Sequence, residues 1–341
     1  SVLDSVLAIL PFGRIIAAIA IWFFLANIQE KNIRRIEICI AGCIITIFMM
    51  YSIDISYQGT ILLNELLLLY VFWACQNAYV KPVEYCHLRK VSLKSIGLII
   101  VAAIFLFIMA DYVNACSMIA FQNLLDDSLQ AIVNKPVEAL VVVAILPAII
   151  EEFLFRGIIY RGIANKSNKK IAIIISALLF AFLHMNFNQM CYAFVMGLVF
   201  AIVIYLTDNL SVSILLHMLF NAFTVIITCF EKSNAIQAIL RCNIAGYTLF
   251  NPSLTDTQGK IEISLLIIGG LIAILSAVIA GWLILLIAKT EKTTEATINN
   301  ENILKDNDNI FKNNEKWKPD FRFFAGSGLC ILIAILYEIL L

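Results

Sequence analysis

The chain has 341 residues, of which 62% are hydrophobic and 14% charged, and its mean hydropathy is +0.92. A soluble globular chain carries roughly 25% charged residues, so this composition excludes a soluble enzyme and points to a polytopic membrane protein. The 24 basic and 24 acidic residues balance, leaving no positive excess to attract a nucleic-acid partner.

A bilayer-crossing helix needs about 20 mostly apolar residues. Such stretches are predicted near 6–27, 36–55, 60–80, 96–117, 137–160, 170–186, 190–207, 210–230, 261–288 and 323–340. The expected fold is therefore all-α, a membrane helix bundle of about 10 spans, or 8–10 if weaker stretches do not cross. The first stretch holds Pro11 and Arg14 and reads as a retained span or an interfacial helix, because no small-residue cleavage pattern follows it. Arg14 can pair with Glu65 of the third stretch.

Lys and Arg concentrate in alternate connections: Lys31, Arg34 and Arg35, then Lys81, Arg89, Lys90 and Lys94, then Arg156, Arg161, Lys166, Lys169 and Lys170, then Lys289 to Arg322. That asymmetry places those connections in the cytoplasm and, with all spans counted, both termini outside. Between spans, residues 121–133 repeat apolar positions at helical spacing and are expected to lie along the membrane surface. Residues 290–321 are rich in Asn, Lys, Glu and Thr, the composition of a disordered cytoplasmic loop. The nine cysteines show no C-x-x-C pair and read as small buried hydrophobes. No internal repeat is visible. Gly197, Gly269 and Gly270, with Ser276 and Ala280, suggest close helix packing.

The informative residues are charges and amides inside apolar runs. Glu151, Glu152 and Arg156 sit in the fifth stretch, Phe180 and His184 at the end of the sixth, and His217 and Asn221 in the eighth. An ionisable group near mid-bilayer costs about 2.5–3.5 kcal/mol even on the lenient insertion scale, so such residues mark a site by default. Residues four apart share a helix face, so Glu152 can pair with Arg156, Phe180 adjoins His184, and His217 and Asn221 project together. Glu151 points about 100° away from Glu152, which separates a carboxylate held by arginine from one available for chemistry. His87, in a basic connection, is expected to be an ordinary exposed side chain, and Asn186 and Asn188 to belong to a turn.

A carboxylate in a low-dielectric site is suited to take a proton from water and return it to a leaving amine. One imidazole can share that water, and a second imidazole with an amide N–H can stabilise a tetrahedral oxyanion. The same Glu151, His184 and His217 also make a zinc-type set, so a metal-dependent and a metal-independent mechanism are both open. No H-E-x-x-H, G-x-S-x-G or phosphate-binding loop is present.

E-E-x-x-x-R, F-x-x-x-H and H-x-x-x-N on successive membrane helices resemble the CAAX prenyl endopeptidase and bacteriocin-processing family of intramembrane proteases. All three motifs occur here in order and unsubstituted, over about residues 136–230. The resemblance implies that Glu151 and His184 activate water, that His217 and Asn221 hold the oxyanion, and that Glu152 and Arg156 support the site, with Phe180 packing against it. It divides the chain into N-terminal membrane helices at 1–135, a catalytic core at 136–230, and C-terminal helices with a polar loop at 231–341.

The expected function is an intramembrane endopeptidase of the cell membrane with its site toward the cytoplasm, acting on a peptide or membrane-anchored substrate. The rival reading is a non-proteolytic bacteriocin-immunity or scaffold protein of the same fold. A proton-coupled carrier is a third, weakened by the lack of a repeat or of paired broken helices.

Overall fold

The computed structural model describes residues 86–121, 133–184 and 186–301, together with most of the helical stretch at 324–335. The expected spans at 6–27, 36–55 and 60–80, the Arg14–Glu65 pair, and nearly all of the expected surface helix at 121–133 lie outside these residues. What is described is mostly helical.

Helix α1 is Leu93–Ser117, opened by Ser92, whose hydroxyl accepts the Ser95 amide at 3.2 Å. Helix α2 is one unbroken run of five pieces: Pro136–Ala139, a π-helical Leu140–Ile145, Leu146–Glu152, a second π-helical Phe153–Tyr160, and Arg161–Lys166. Helices α3 (Lys169–Leu183), α4 (Phe187–Thr207) and α5 (Leu210–Cys229) follow. Asn168, Asn186 and Asn209 cap these three, each side-chain oxygen accepting an amide of the first turn. Asn186 thus belongs to a turn, as expected, whereas Asn188, also expected there, lies buried inside α4 and donates to Ser117 Oγ at 2.8 Å and Asn114 Oδ1 at 3.0 Å. Asp208 closes α4 in the left-handed conformation, at φ 50°.

Among the described residues, four helices have the length and apolar composition to cross a membrane: α1, α4, α5 and the Ile263–Thr293 part of the last long helix. The chain therefore reads as an integral membrane protein. Helix α3 has 15 residues, about 22 Å at 1.5 Å per residue, and falls short of a hydrocarbon layer of about 30 Å. It ends at His184, and the chain turns back there into α4.

Between α5 and the last helix lie the short α6 (Asn234–Leu240) and an antiparallel hairpin, β1 Asn243–Ile244 with β2 Tyr247–Thr248. The hairpin departs from the all-α expectation. Its two-residue turn, Ala245–Gly246, has positive φ at both positions, 53° and 86°, the backbone that suits a tight hairpin. Helix α7 runs from Ile263 to Glu301. A disordered loop was expected from 290; instead the helix continues through its first turns. Glu291 is buried there, accepting the Ser92 amide and the Asn209 side chain, each at 3.2 Å.

Helix α7 packs along α1, α3 along α4, and α5 lies against α1, α4 and α2. The core between them is apolar and aromatic, including Phe107, Leu154, Phe155, Phe180, Phe200 and Leu216. Small residues permit the close approaches, as their pattern suggested. A Cβ on Gly197 would stand 3.0 Å from the Ala177 Cα, and one on Gly269 only 2.8 Å from the Tyr112 ring.

At the end of the bundle near residue 87, three segments are tied by charge. The Asp208 carboxylate meets His87 Nδ1 at 2.6 Å and Arg161 Nη1 at 2.8 Å, and Arg89 stands at 3.5 Å. His87 is therefore not the ordinary exposed side chain expected. The left-handed turn at Asp208 brings a carboxylate to it from 121 residues away, an encounter with no local sequence signature.

Candidate active site

Glu151 and Glu152 end the middle α-helical piece of α2, and Arg156 lies in the π-helical turn that follows. Single π-turns inside α-helices occur often at functional sites, because the extra residue re-aims side chains. Here Glu152 and Arg156 are completely buried, while Glu151 retains 9% exposure. The adjacent carboxylates therefore occupy different surroundings.

Glu152 is enclosed by donors. Its Oε1 accepts Arg156 Nη1 at 2.8 Å and His217 Nδ1 at 3.1 Å, and its Oε2 accepts the Ser213 hydroxyl at 2.6 Å. Arg156 also donates through Nη2 to the Gly197 carbonyl at 3.0 Å, and its guanidinium lies 4.4 Å from the centre of the Phe180 ring. A buried charge of this kind persists only when paired and hydrogen-bonded.

A carboxylate can only accept, so His217 Nδ1 carries the hydrogen it gives to Glu152. Nε2 then faces the second carboxylate, at 3.9 Å from Glu151 Oε2. His217 is also stacked on Phe200, ring centres 4.7 Å apart. The same reasoning applies to His184, whose Nδ1 is 2.9 Å from the Phe180 carbonyl oxygen. A carbonyl oxygen only accepts, so this histidine too presents Nε2 as its acceptor nitrogen.

Phe180 joins the pieces. Its ring lies edge-on to His184 at 5.1 Å, to His217 at 5.7 Å and to Phe155 at 5.3 Å. The ring lies at the centre of the group. Asn221, one turn beyond His217, donates to the Val143 carbonyl at 3.2 Å. Val143 stands four residues before Pro147, the position whose carbonyl a non-proline residue there would bond in an α-helix. Asn221 supplies that carbonyl with a donor.

The structure thus gathers Glu151, Glu152, Arg156, Phe180, His184 and His217 through direct contacts, and sets Asn221 on the His217 face of α5. Among the described residues no group of three or more His, Cys, Asp or Glu side chains is arranged to hold a metal ion.

Ser213, Phe200 and Gly197 are further members that the motifs did not include. Ser213 had a signal, since Ser213, His217 and Asn221 fall at i, i+4 and i+8 on one face. Gly197 acts through its backbone, which no side-chain pattern reports.

Residues 133–223, which contain every one of these groups, match the family described as type II CAAX prenyl endopeptidase Rce1-like. The chain is similar to the membrane-embedded CAAX protease MroQ of Staphylococcus aureus, with 34% identity over 116 residues, 32% of this chain and 47% of that protein. It is also similar to a Bacillus subtilis protein named "Putative membrane peptidase YdiL", with 30% identity over 98 residues, 29% of this chain and 40% of that protein. No solved structure matches. The chain spans under half of the length of these curated relatives. Within those bounds, residues 133–223 resemble the Rce1-like CAAX protease family.

Proposed function

We propose that the protein is an intramembrane endopeptidase in which Glu151 and His184 activate water against a peptide bond. The observation that carries this reading is the division of labour between adjacent carboxylates. Glu152 is occupied by Arg156, Ser213 and His217, whereas Glu151 keeps some exposure and faces His217 Nε2. Pairs of carboxyl groups in contrasting surroundings take contrasting roles.

Glu151 takes a proton from water as the water oxygen bonds to the scissile carbonyl carbon. The carbonyl oxygen becomes an oxyanion. His217, when it holds a proton on Nε2, donates to that oxyanion, and Glu152 behind it balances the imidazolium charge. The Asn221 amide has a second N–H beside the one given to Val143, and this is the second donor. Collapse of the intermediate breaks the C–N bond, and Glu151 returns its proton to the leaving amine.

The substrate in this reading is a peptide or membrane-anchored precursor, reached from the cytoplasmic side to which the Lys and Arg distribution assigns the basic connections. The catalytic core is residues 136–230, in a multi-pass protein of the cell membrane.

The test is cleavage of a panel of short hydrophobic and lipidated peptides by purified protein in nanodiscs, with metal content measured on the same sample. Glu151→Gln should bind peptide and fold normally yet lose turnover. Metal stoichiometry then reports whether the two imidazoles act as proton and oxyanion partners or as metal ligands. If wild type cleaves nothing and Glu151→Gln keeps the cellular phenotype, the non-proteolytic immunity or scaffold reading replaces this one.

A further inference from the structure

Glu152 and Arg156 are paired in an unexpected way. A guanidinium and a carboxylate that meet freely tend to form two parallel hydrogen bonds. Here the carboxylate uses a single oxygen on a single nitrogen, Oε1 on Nη1 at 2.8 Å. Arg156 Nε is buried with no hydrogen-bond partner. A buried donor left unsatisfied costs about 1–3 kcal/mol, so something else holds the carboxylate away from the two-pronged arrangement.

The group in position to do so is Ser213. Its hydroxyl, fully buried on α5, reaches Glu152 Oε2 at 2.6 Å, shorter than its alternative acceptor, the Phe200 carbonyl at 3.4 Å. With Oε2 anchored on α5, Oε1 faces both Arg156 and His217. Without that anchor, the carboxylate is free to turn and take Arg156 through Nε as well, and His217 Nδ1 loses its acceptor.

We propose that Ser213 is a positioning residue: it diverts Glu152 from a two-pronged pair with Arg156, so that one carboxylate oxygen holds the His217 tautomer whose Nε2 faces Glu151. This rests on the peptidase reading for its catalytic consequence, but the tautomer is measurable without catalysis. Glu151, Glu152 and Arg156 on α2 are the charged groups facing His217 among the described residues, with Phe180 and Phe200 as ring neighbours from α3 and α4. Ser213 shares a helix with His217 and needs no change elsewhere to act on it.

The experiment compares wild type, Ser213→Ala and Ser213→Thr in nanodiscs by peptide cleavage, thermal unfolding and nitrogen NMR of 15N-histidine-labelled protein. A His217→Gln sample assigns the His217 signal. In wild type the His217 proton should sit on Nδ1. Ser213→Ala should lower kcat about ten-fold with KM little changed, the scale typical of losing a partner that orients a functional histidine. Its His217 signal should shift toward the other tautomer, and its melting temperature should stay near that of wild type. Ser213→Thr, which keeps the hydroxyl, should restore both kcat and the tautomer.

If Ser213→Ala leaves the histidine signal and kcat unchanged, the proposal is wrong even though cleavage stands. A loss of kcat accompanied by an unchanged tautomer also overturns it, because Ser213 would then act by another route. If wild type cleaves none of the peptides, the peptidase reading fails, and the tautomer shift alone still decides the role of Ser213.

Discussion

Removing Arg156 should be the most destabilising single change at the site. Its side chain has no exposed surface, donates to Glu152 at 2.8 Å and to the Gly197 carbonyl at 3.0 Å, and lies over the Phe180 ring. In Arg156→Met the apolar volume is nearly kept, but Glu152 is left as a buried anion with only the neutral donors Ser213 and His217. Breaking a buried pair from one side typically costs about 3–5 kcal/mol. At about 2–4 °C per kcal/mol for larger domains, the melting temperature should fall by roughly 6–20 °C. Thermal unfolding of wild type, Arg156→Met, Glu152→Gln and the double variant in one detergent forms the assay. The double variant holds no unpaired ion and should melt higher than Arg156→Met alone. Equal melting of wild type and Arg156→Met, or simple addition of the two single losses, would refute the argument that the pair acts as a unit.

Two further changes probe the frame around the site. In Gly197→Ala the new Cβ would stand 3.0 Å from the Ala177 Cα and 3.2 Å from the Ala177 carbonyl oxygen, both backbone atoms. Helix α4 must move off α3 and carry the Arg156 acceptor with it; overpacking of this kind costs about 1–3 kcal/mol, and an unchanged melting temperature would count against the contact. At the charged end of the bundle, burial alone would raise the Asp208 carboxyl, but the His87 hydrogen bond and the Arg161 charge outweigh it and bring it to about 2, below the ordinary 3.8. Because the folded value is the lower one, this stabilisation is complete above about pH 4 and is lost as pH falls through 2. Melting of Asp208→Asn should therefore depend less on pH over that window than melting of wild type, and parallel curves would show that the cluster does not contribute.

The candidate site was legible because it violates its surroundings. In a chain so apolar, Glu151, Glu152, Arg156, His184, His217 and Asn221 are conspicuous, and the four-residue spacings place their partners on shared helix faces. The pairing of Glu152 with Arg156, the packing of Phe180 against His184, and the close helix contact at Gly197 follow from such local periodicity. The ends of elements were harder. The last helix continues past residue 290 because Glu291 is fixed by Ser92 and Asn209, residues 199 and 82 positions away. A composition window cannot register contacts that distant.

The sequence by itself determined that the chain is helical and membrane-embedded, and it marked the candidates for its chemistry, because burying charge in an apolar helix is costly. Tertiary structure decided the surroundings in which those candidates are placed. That Glu152 rather than Glu151 is enclosed, that both histidines present Nε2, that Ser213 anchors a carboxylate oxygen, and that His87 joins Asp208 and Arg161 all depend on angles and distances between helices. Those quantities are set by packing of side chains far apart in the chain, and hydrogen bonding is directional on a scale of tenths of an ångström that spacing along one helix does not encode.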